Sequence, residues 1–285
     1  MQRNYAAISP TARALLVLKG ITTIPYARTA AELASRPGTY RPDTENTDLA
    51  YWKRVVHFEI RYRTVDQLLE ELPVTNVLEL SSGFSFRGLD NVQRRALHYI
   101  DTDLPEVIDE KKAFLQDLSD DEQPAAGQLD TLPLNALDED AFLATVNLFT
   151  EGPVAIVNEG LLMYLGEGEK ETLCRIIRRV LQQRGGWWIT GDIYVKSTLE
   201  RFNNKEEDRL KSIVTEQRIE DNMFDSFEAA EQFFQRNDFE VDKEAEVDIP
   251  AISSIPYLVR HTTPEQLDEM RRHPKIQATW RLKVA

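Results

Sequence analysis

At 285 residues with a formal net charge of −14, the chain is long enough to bury a sizeable core. Its acidity makes phosphate backbones and anionic lipid surfaces poor first partners, so neither nucleic acid nor membrane is expected. Hydrophobic residues at 42% and charged residues at 29% exclude wholesale disorder, and one cysteine, Cys174, excludes an intramolecular disulfide.

Ser9-Pro10-Thr11 opens a first helical pattern that carries Leu15, Leu16 and Leu18 and stops at Gly20. A short second helix around residues 30–34 runs into Pro37-Gly38. From Thr47 to Leu72, Trp52, Val55, Val56, Ile60, Val65, Leu68 and Leu69 recur at helical spacing, with an interruption expected. No apolar run reaches the roughly 18 residues that span a bilayer, and the N-terminus lacks a signal-peptide core; the cytoplasm is the expected compartment.

The stretch Asn76 to Ser85 reads as a strand buried on both faces (Val77, Leu78, Leu80) that carries Glu79 and ends in a tight turn at Ser81-Ser82-Gly83. A second strand, Ala96 to Ile100, leads into Asp101-Thr102-Asp103-Leu104-Pro105. Acidic groups therefore lie at the carboxyl end of the neighbouring strand, about 20 residues after the turn, where nucleoside-binding sheets hold a ribose. A helix from Pro105 to Leu115, an acidic loop over 119–127, a third strand at Gln128 to Leu134 and a helix from Leu137 to Phe149 follow. Pro153 to Asn158 is a buried strand; a helix around Cys174, and a strand at Trp187 to Thr190 ending in Gly191-Asp192, complete an alternation that argues for a parallel sheet with crossover helices.

Lys196 to Ile219 is polar and highly charged, the pattern of a solvated cap or of an ordinary surface helix. Phe227 to Phe234 is helical. Phe239 to Ile249 and Gln277 to Val284 alternate as strands that no helix separates cleanly, and an antiparallel pair at one edge is expected. His57, His98, His261 and His273 have no metal-ligand spacing, and no metal site is expected.

A pyrophosphate asks for several bare backbone N–H groups in a G-x-G-x-x-G turn. Only Gly83 and Gly88 are available here, so a nucleoside cofactor without a phosphate, S-adenosylmethionine, suits Glu79, the small turn and the acids after the second strand better than a dinucleotide does; an ordinary buried strand and turn is the competing reading.

The sequence resembles the leucine carboxyl methyltransferase family of S-adenosylmethionine-dependent O-methyltransferases, including its bacterial polyketide-synthesis branch. The resemblance rests on Arg61-Tyr62-Arg63-Thr64-Val65-Asp66, Glu79 to Arg87, Asp103-Leu104-Pro105 with Lys111, and above all Asn158-Glu159-Gly160-Leu161-Leu162-Met163-Tyr164-Leu165. It implies that Arg61 meets the methionine carboxylate of the cofactor, although a solvated helix face is the competing reading. It further implies that Asp103 accepts the ribose hydroxyls, with Asp101 as competitor and a helix cap as alternative, and that Glu159 neutralises the ammonium. Asn135 is placed on the adenine side, with Asp130-Thr131 as the other candidate, and Tyr164 is read as packing. Where the family turn reads glycine, small, glycine, any residue, aspartate, this chain has Ser81, Ser82, Gly83, Phe84 and Ser85, a departure that bears on cofactor affinity.

The expectation is one α/β domain over residues 1–285 with a seven-stranded, mostly parallel sheet. It comprises a helical N-terminal layer (1–72), a cofactor-binding core (73–195), a helical insertion (196–225) and a C-terminal helix with edge strands (226–285). The expected cofactor site is Arg61, Glu79, Ser81, Gly83, Asp103, Asn135 and Glu159. The expected reaction is methylation of a small-molecule acceptor, a carboxylate of a small or polyketide-like acid. Two rival readings are a catalytically silent binding protein on the same fold and a nicotinamide-dependent reductase.

Overall fold

Five strands of the computed structural model run parallel, because each is joined to the next through a helix that crosses back over the sheet. They are β1 (Asn76–Leu80), β2 (His98–Asp103), β3 (Gln128–Pro133), β4 (Val154–Asn158) and β5 (Gly186–Tyr194). The crossover helices are α4 (Arg87–Arg94), α5 (Pro105–Leu118), α6 (Glu139–Val146) and α7 (Glu167–Arg184), and α1 (Ser9–Lys19), α2 (Ala27–Ala34) and α3 (Leu49–Glu70) precede them. After β5 come α8 (Phe227–Arg236), β6 (Phe239–Glu244), α9 (Ile255–Arg260), α10 (Pro264–Arg272) and β7 (Gln277–Val284). The structure describes residues 9–35, 40–118, 124–196 and 219–285. The Pro37-Gly38 break and most of the expected 196–225 insertion lie outside the described residues.

The sheet order is β3-β2-β1-β4-β5-β7-β6, seven strands in all. Connections move outward in one direction from β1 to β3 and in the other from β4 to β5, so the chain switches sides between β1 and β4. Open α/β sheets bind ligands at such a point, beyond the carboxyl ends of the strands. Register aligns those ends: Glu79 lies beside Asp101 on β2, and Leu80 beside Asn158 on β4. Every residue of β1 and β4 is buried. One face of the sheet packs Leu78, Ile100 and Ile156 with Phe142, Leu173 and Phe234; the other packs Val77, Ala155 and Val157 with Val65, Leu68 and Leu69 of α3.

Several expected elements differ; β5, for one, runs on through Gly191-Asp192 to Tyr194. The helix over 47–72 has no interruption: α3 is a single 22-residue helix, capped by Asp48, whose carboxylate accepts the Ala50 N–H. Its buried positions include Glu59, Arg61 and Thr64, polar residues that blur the hydrophobic period although no Gly or Pro breaks the helix. The second strand is His98–Asp103 and continues past Ile100, because Asp101 and Thr102 pair with Thr131 and Leu132 on β3. Helices do separate the last two strands: Pro256 stands in the first turn of α9, and Pro264 follows the Thr263 cap of α10. β6 therefore ends at Glu244, well short of Ile249. β7 pairs antiparallel with both β5 and β6, which leaves β6 at the edge.

This late excursion is fastened to α3 by one carboxylate. Buried Glu59 accepts the backbone N–H groups of Ser253 and Ser254 at 2.9 Å each, and their hydroxyls at 2.6 Å each. No helix among the described residues is long and apolar enough to cross a membrane.

Candidate active site

A cavity of about 220 Å³ opens beyond the carboxyl ends of β1, β2 and β4, with α1 along one wall. Arg61, Glu79, Ser81, Gly83, Asp103, Asn135 and Glu159 all line it, although they come from α3, three strand ends and the loop after β3. Asp101 does not line it. That side chain lies fully buried in β2, paired with Lys111 Nζ at 2.8 Å. Arg61 is 2% exposed and so is not on a solvated helix face. Tyr164 lies on the cavity wall.

The turn after β1 places Ser81 at φ 50° and Gly83 at φ 50°. Glycine tolerates that left-handed backbone; serine does so at a cost of roughly 1–2 kcal/mol. The conformation is held on all sides. Ser82 N–H donates to Thr102 O, Lys111 Nζ donates to Ser82 Oγ at 2.9 Å, and Gly83 N–H donates to Asp103 Oδ2 at 2.7 Å. Asp103 Oδ1 accepts the Leu104 N–H, so Asp103 ties the turn to the end of β2 and does not serve as a simple cap of α5. A Cβ on Gly83 would stand 3.7 Å from Ala12 Cβ, which puts α1 directly over the turn.

Glu159 follows β4, in a turn set by Asp192 on β5. The Asp192 carboxylate accepts the N–H groups of Gly160 and Leu161 at 2.6 Å each, and Leu162 N–H at 3.1 Å. Three cations then converge on Glu159: Lys19 Nζ (2.7 Å) and Arg61 Nε (3.2 Å) on Oε1, and Arg87 Nη2 (2.7 Å) on Oε2. Arg87 also binds Glu79, and its Nε donates to Asp66 Oδ1 at 2.6 Å; its guanidinium lies 4.2 Å from the Tyr62 ring centroid. Glu79 accepts the Tyr99 hydroxyl at 2.7 Å. Asp66, Glu79 and Glu159 are thus balanced by Lys19, Arg61 and Arg87.

Burial alone would raise the Glu159 carboxyl, but Lys19, Arg61 and Arg87 outweigh it and hold the group well below the usual range. Asp66, without that convergence, is pushed up to about 6 by burial against the pull of Arg87. Burial lowers Lys19, with Glu159 opposing. Beside the cavity, His57 Nε2 is 2.8 Å from the Tyr194 hydroxyl, which also accepts Arg61 Nη1 at 3.1 Å. Burial, then the Arg61 charge, lowers His57 to about 4, so the ring is neutral near pH 7.

The leucine carboxyl methyltransferase family matches residues 6–178 of the sequence. The chain belongs to this family. By family it is an S-adenosylmethionine-dependent methyltransferase. No curated protein matches it in sequence. Among solved structures, a DUF574 family protein from Streptomyces avermitilis is similar at 13% identity, with a TM-score of 0.55 over 98% of this chain and 100% of that one. Magnesium protoporphyrin IX methyltransferase from Synechocystis, with bound SAH, is similar at 11% identity, with a TM-score of 0.49 over 81% of this chain and 85% of that one. A pericyclic reaction enzyme matches at 9% identity and a TM-score of 0.44 over 79% of this chain, which spans about half of that protein's length, 47%.

The methyltransferase cavity has the groups that S-adenosylmethionine asks for. Lys19 spends one of its three donors on Glu159, and Arg61 Nη2 faces Gly160, where a Cβ would stand 3.6 Å away; both remain able to meet a carboxylate. Glu159 Oε2 takes one cation where Oε1 takes two, leaving acceptor capacity for an ammonium. Sequence reasoning missed Lys19, which lines the cavity, and Arg87, which pairs with Glu79 and Glu159 without lining it. Lys19 had one signal, its place in the last turn of α1 just before Gly20; Arg87 had only its place inside the family stretch.

Two outcomes follow for this methyltransferase. Ser81→Gly removes a strained serine, so urea unfolding should show a gain of about 1 kcal/mol, net of glycine's backbone entropy; a loss would mean that the turn needs the serine side chain. His57 has a folded pKa below its unfolded value, so the unfolded chain takes the proton first, and stability is lost as pH falls from about 6.5 towards about 4. Between pH 7 and 5 the wild type should lose about 2 kcal/mol more than His57→Gln, which cannot titrate. Equal losses would mean that folding does not lower the His57 pKa.

Proposed function

We propose that the protein transfers the methyl group of S-adenosylmethionine to a carboxylate oxygen of a small or polyketide-like acid. The observation that carries the reading is the condition of the cavity's own titratable groups. Glu79 and Glu159 are claimed by cations, Lys19 is paired with Glu159, and Asp103 accepts two backbone N–H groups at the end of β2, on the expected ribose side. Burial pushes the Tyr164 phenol up to about 12. No histidine is among the described lining residues. A hydroxyl acceptor would need a positioned base to take its proton; a carboxylate, ionised near pH 7, needs none.

When bound, S-adenosylmethionine supplies a methyl carbon on a sulfonium, which an acceptor oxygen displaces in line. The chain's part is orientation and water exclusion. Arg61 and Lys19 would hold the methionine carboxylate and Glu159 the ammonium. Asp103 would accept the ribose hydroxyls, Asn135 would face the adenine, and the Ser81–Gly83 turn would let the ligand approach the backbone.

Adenosylhomocysteine should bind without added metal, and Arg61→Ala should weaken it by about 1.5–3 kcal/mol in calorimetric titration. With methyl-labelled cofactor and a panel of acids, phenols and amines, mild alkali should release labelled methanol from the product. Alkali-stable label would overturn the carboxylate assignment, and tight binding without turnover of any acceptor would favour a silent binding protein.

A further inference from the structure

His57 stands one turn before Arg61 on α3, so the two side chains leave the helix on the same face. Opposite them is Tyr194, the last residue of β5, whose hydroxyl is 3.1 Å from Arg61 Nη1 and 2.8 Å from His57 Nε2. The Tyr194 backbone is itself fixed, because Phe224 N–H donates to its carbonyl at 3.0 Å. The edges of the Arg61 guanidinium then have separate duties. Nε donates to Glu159, Nη1 donates to Tyr194, and Nη2 faces Gly160 on the cavity wall. The Phe58 ring, its centroid 5.1 Å from the guanidinium carbon, packs on the same group.

The protons in this triangle have one satisfactory arrangement. A guanidinium only donates, so the Tyr194 oxygen must present a lone pair to Arg61 and send its own proton elsewhere. Among the described residues, His57 Nε2 is the acceptor within reach of that proton. The ring can accept because it is neutral: burial and then the Arg61 charge lower it to about 4. With the ring proton on Nε2 instead, two donors would crowd the phenol oxygen and turn its O–H towards a cation. Resting on the reading that Arg61 holds the methionine carboxylate, we infer that His57 and Tyr194 are positioning residues for the cofactor. His57, protonated on Nδ1, accepts the Tyr194 O–H and so aims the phenol oxygen at Arg61 Nη1, which leaves Nη2 presented to the cofactor's carboxylate. Neither residue is among the described lining residues of the cavity. Their effect reaches the ligand through Arg61, and so at the carboxylate alone.

The test titrates the full chain with adenosylhomocysteine and with its decarboxylated form, which keeps the ammonium, ribose and adenine. The wild type should prefer adenosylhomocysteine at least about tenfold, and Arg61→Ala should remove most of that preference. His57→Phe keeps a ring but no acceptor; it should weaken adenosylhomocysteine about three- to tenfold and leave the decarboxylated ligand within about twofold. His57→Gln, whose amide oxygen can stand near the place of Nε2, should return adenosylhomocysteine to within about twofold of the wild type. Tyr194→Phe should match His57→Phe, and the double variant should be no worse than either, because both remove one linkage. Binding of the decarboxylated ligand reports in each variant that the fold and the rest of the site are intact. Should His57→Phe fail to fold, Tyr194→Phe carries the same comparison. Equal weakening of both ligands, no weakening of either, additive losses in the double variant, or His57→Gln no better than His57→Phe overturns the positioning role alone. A wild type that binds neither ligand or does not distinguish them, or a preference undiminished by Arg61→Ala, overturns the reading of Arg61 and the inference together.

Discussion

A fully buried guanidinium, that of Arg87, joins the three parts of the molecule that meet at the cavity. Its partners are Glu79 in the central strand, Glu159 past β4 and Asp66 on the N-terminal helix α3. The planar fork suits this task, because its donors point in different directions while one charge serves several carboxylates. Removing ions from water costs several kcal/mol each, and such a cluster survives only when nearly all its hydrogen bonds are made. Here Tyr62 covers the guanidinium and Tyr99 satisfies the second oxygen of Glu79. The cluster is better understood as a device for setting geometry than as a source of stability: it fixes Glu159, on which Lys19 and Arg61 also converge.

The same principle recurs at smaller scale. Asp192 fixes the Gly160–Leu162 turn by accepting backbone N–H groups, Asp103 fixes the Gly83 turn, and Glu59 fixes Ser253 and Ser254. In each case one carboxylate from a regular element pins an irregular segment whose own backbone groups would otherwise lack partners. The cavity is irregular backbone held to a regular sheet by acids, which gives the abundance of acidic residues a structural use beyond solubility.

Much of this was legible in the sequence. Strands β1 and β4 are short apolar runs bounded by small or polar residues, and the seven candidate site residues, read from strand ends and family motifs, line the same cavity. What escaped was whatever depends on partners remote in the chain. Lys19 matters through Glu159, 140 positions away, and no local pattern encodes that pairing. The expected interruption of α3 arose because Glu59, Arg61 and Thr64 occupy inward positions where periodicity looks for apolar residues. α9 and α10 were missed because short helices of six and nine residues carry little periodic signal.

The position of β7 has a consequence for biosynthesis. It follows every other described element in sequence, yet it lies inside the sheet between β5 and β6. Until it emerges from the ribosome, β5 presents a bare row of N–H and C=O groups beside Trp188 and Thr190, and β6 has no neighbour at all. At typical translation speeds the intervening stretch takes roughly 4–16 s to make. Over that interval the nascent chain carries an open, apolar sheet edge of the kind that recruits other strands, an edge that closes only when β7 inserts between β5 and β6.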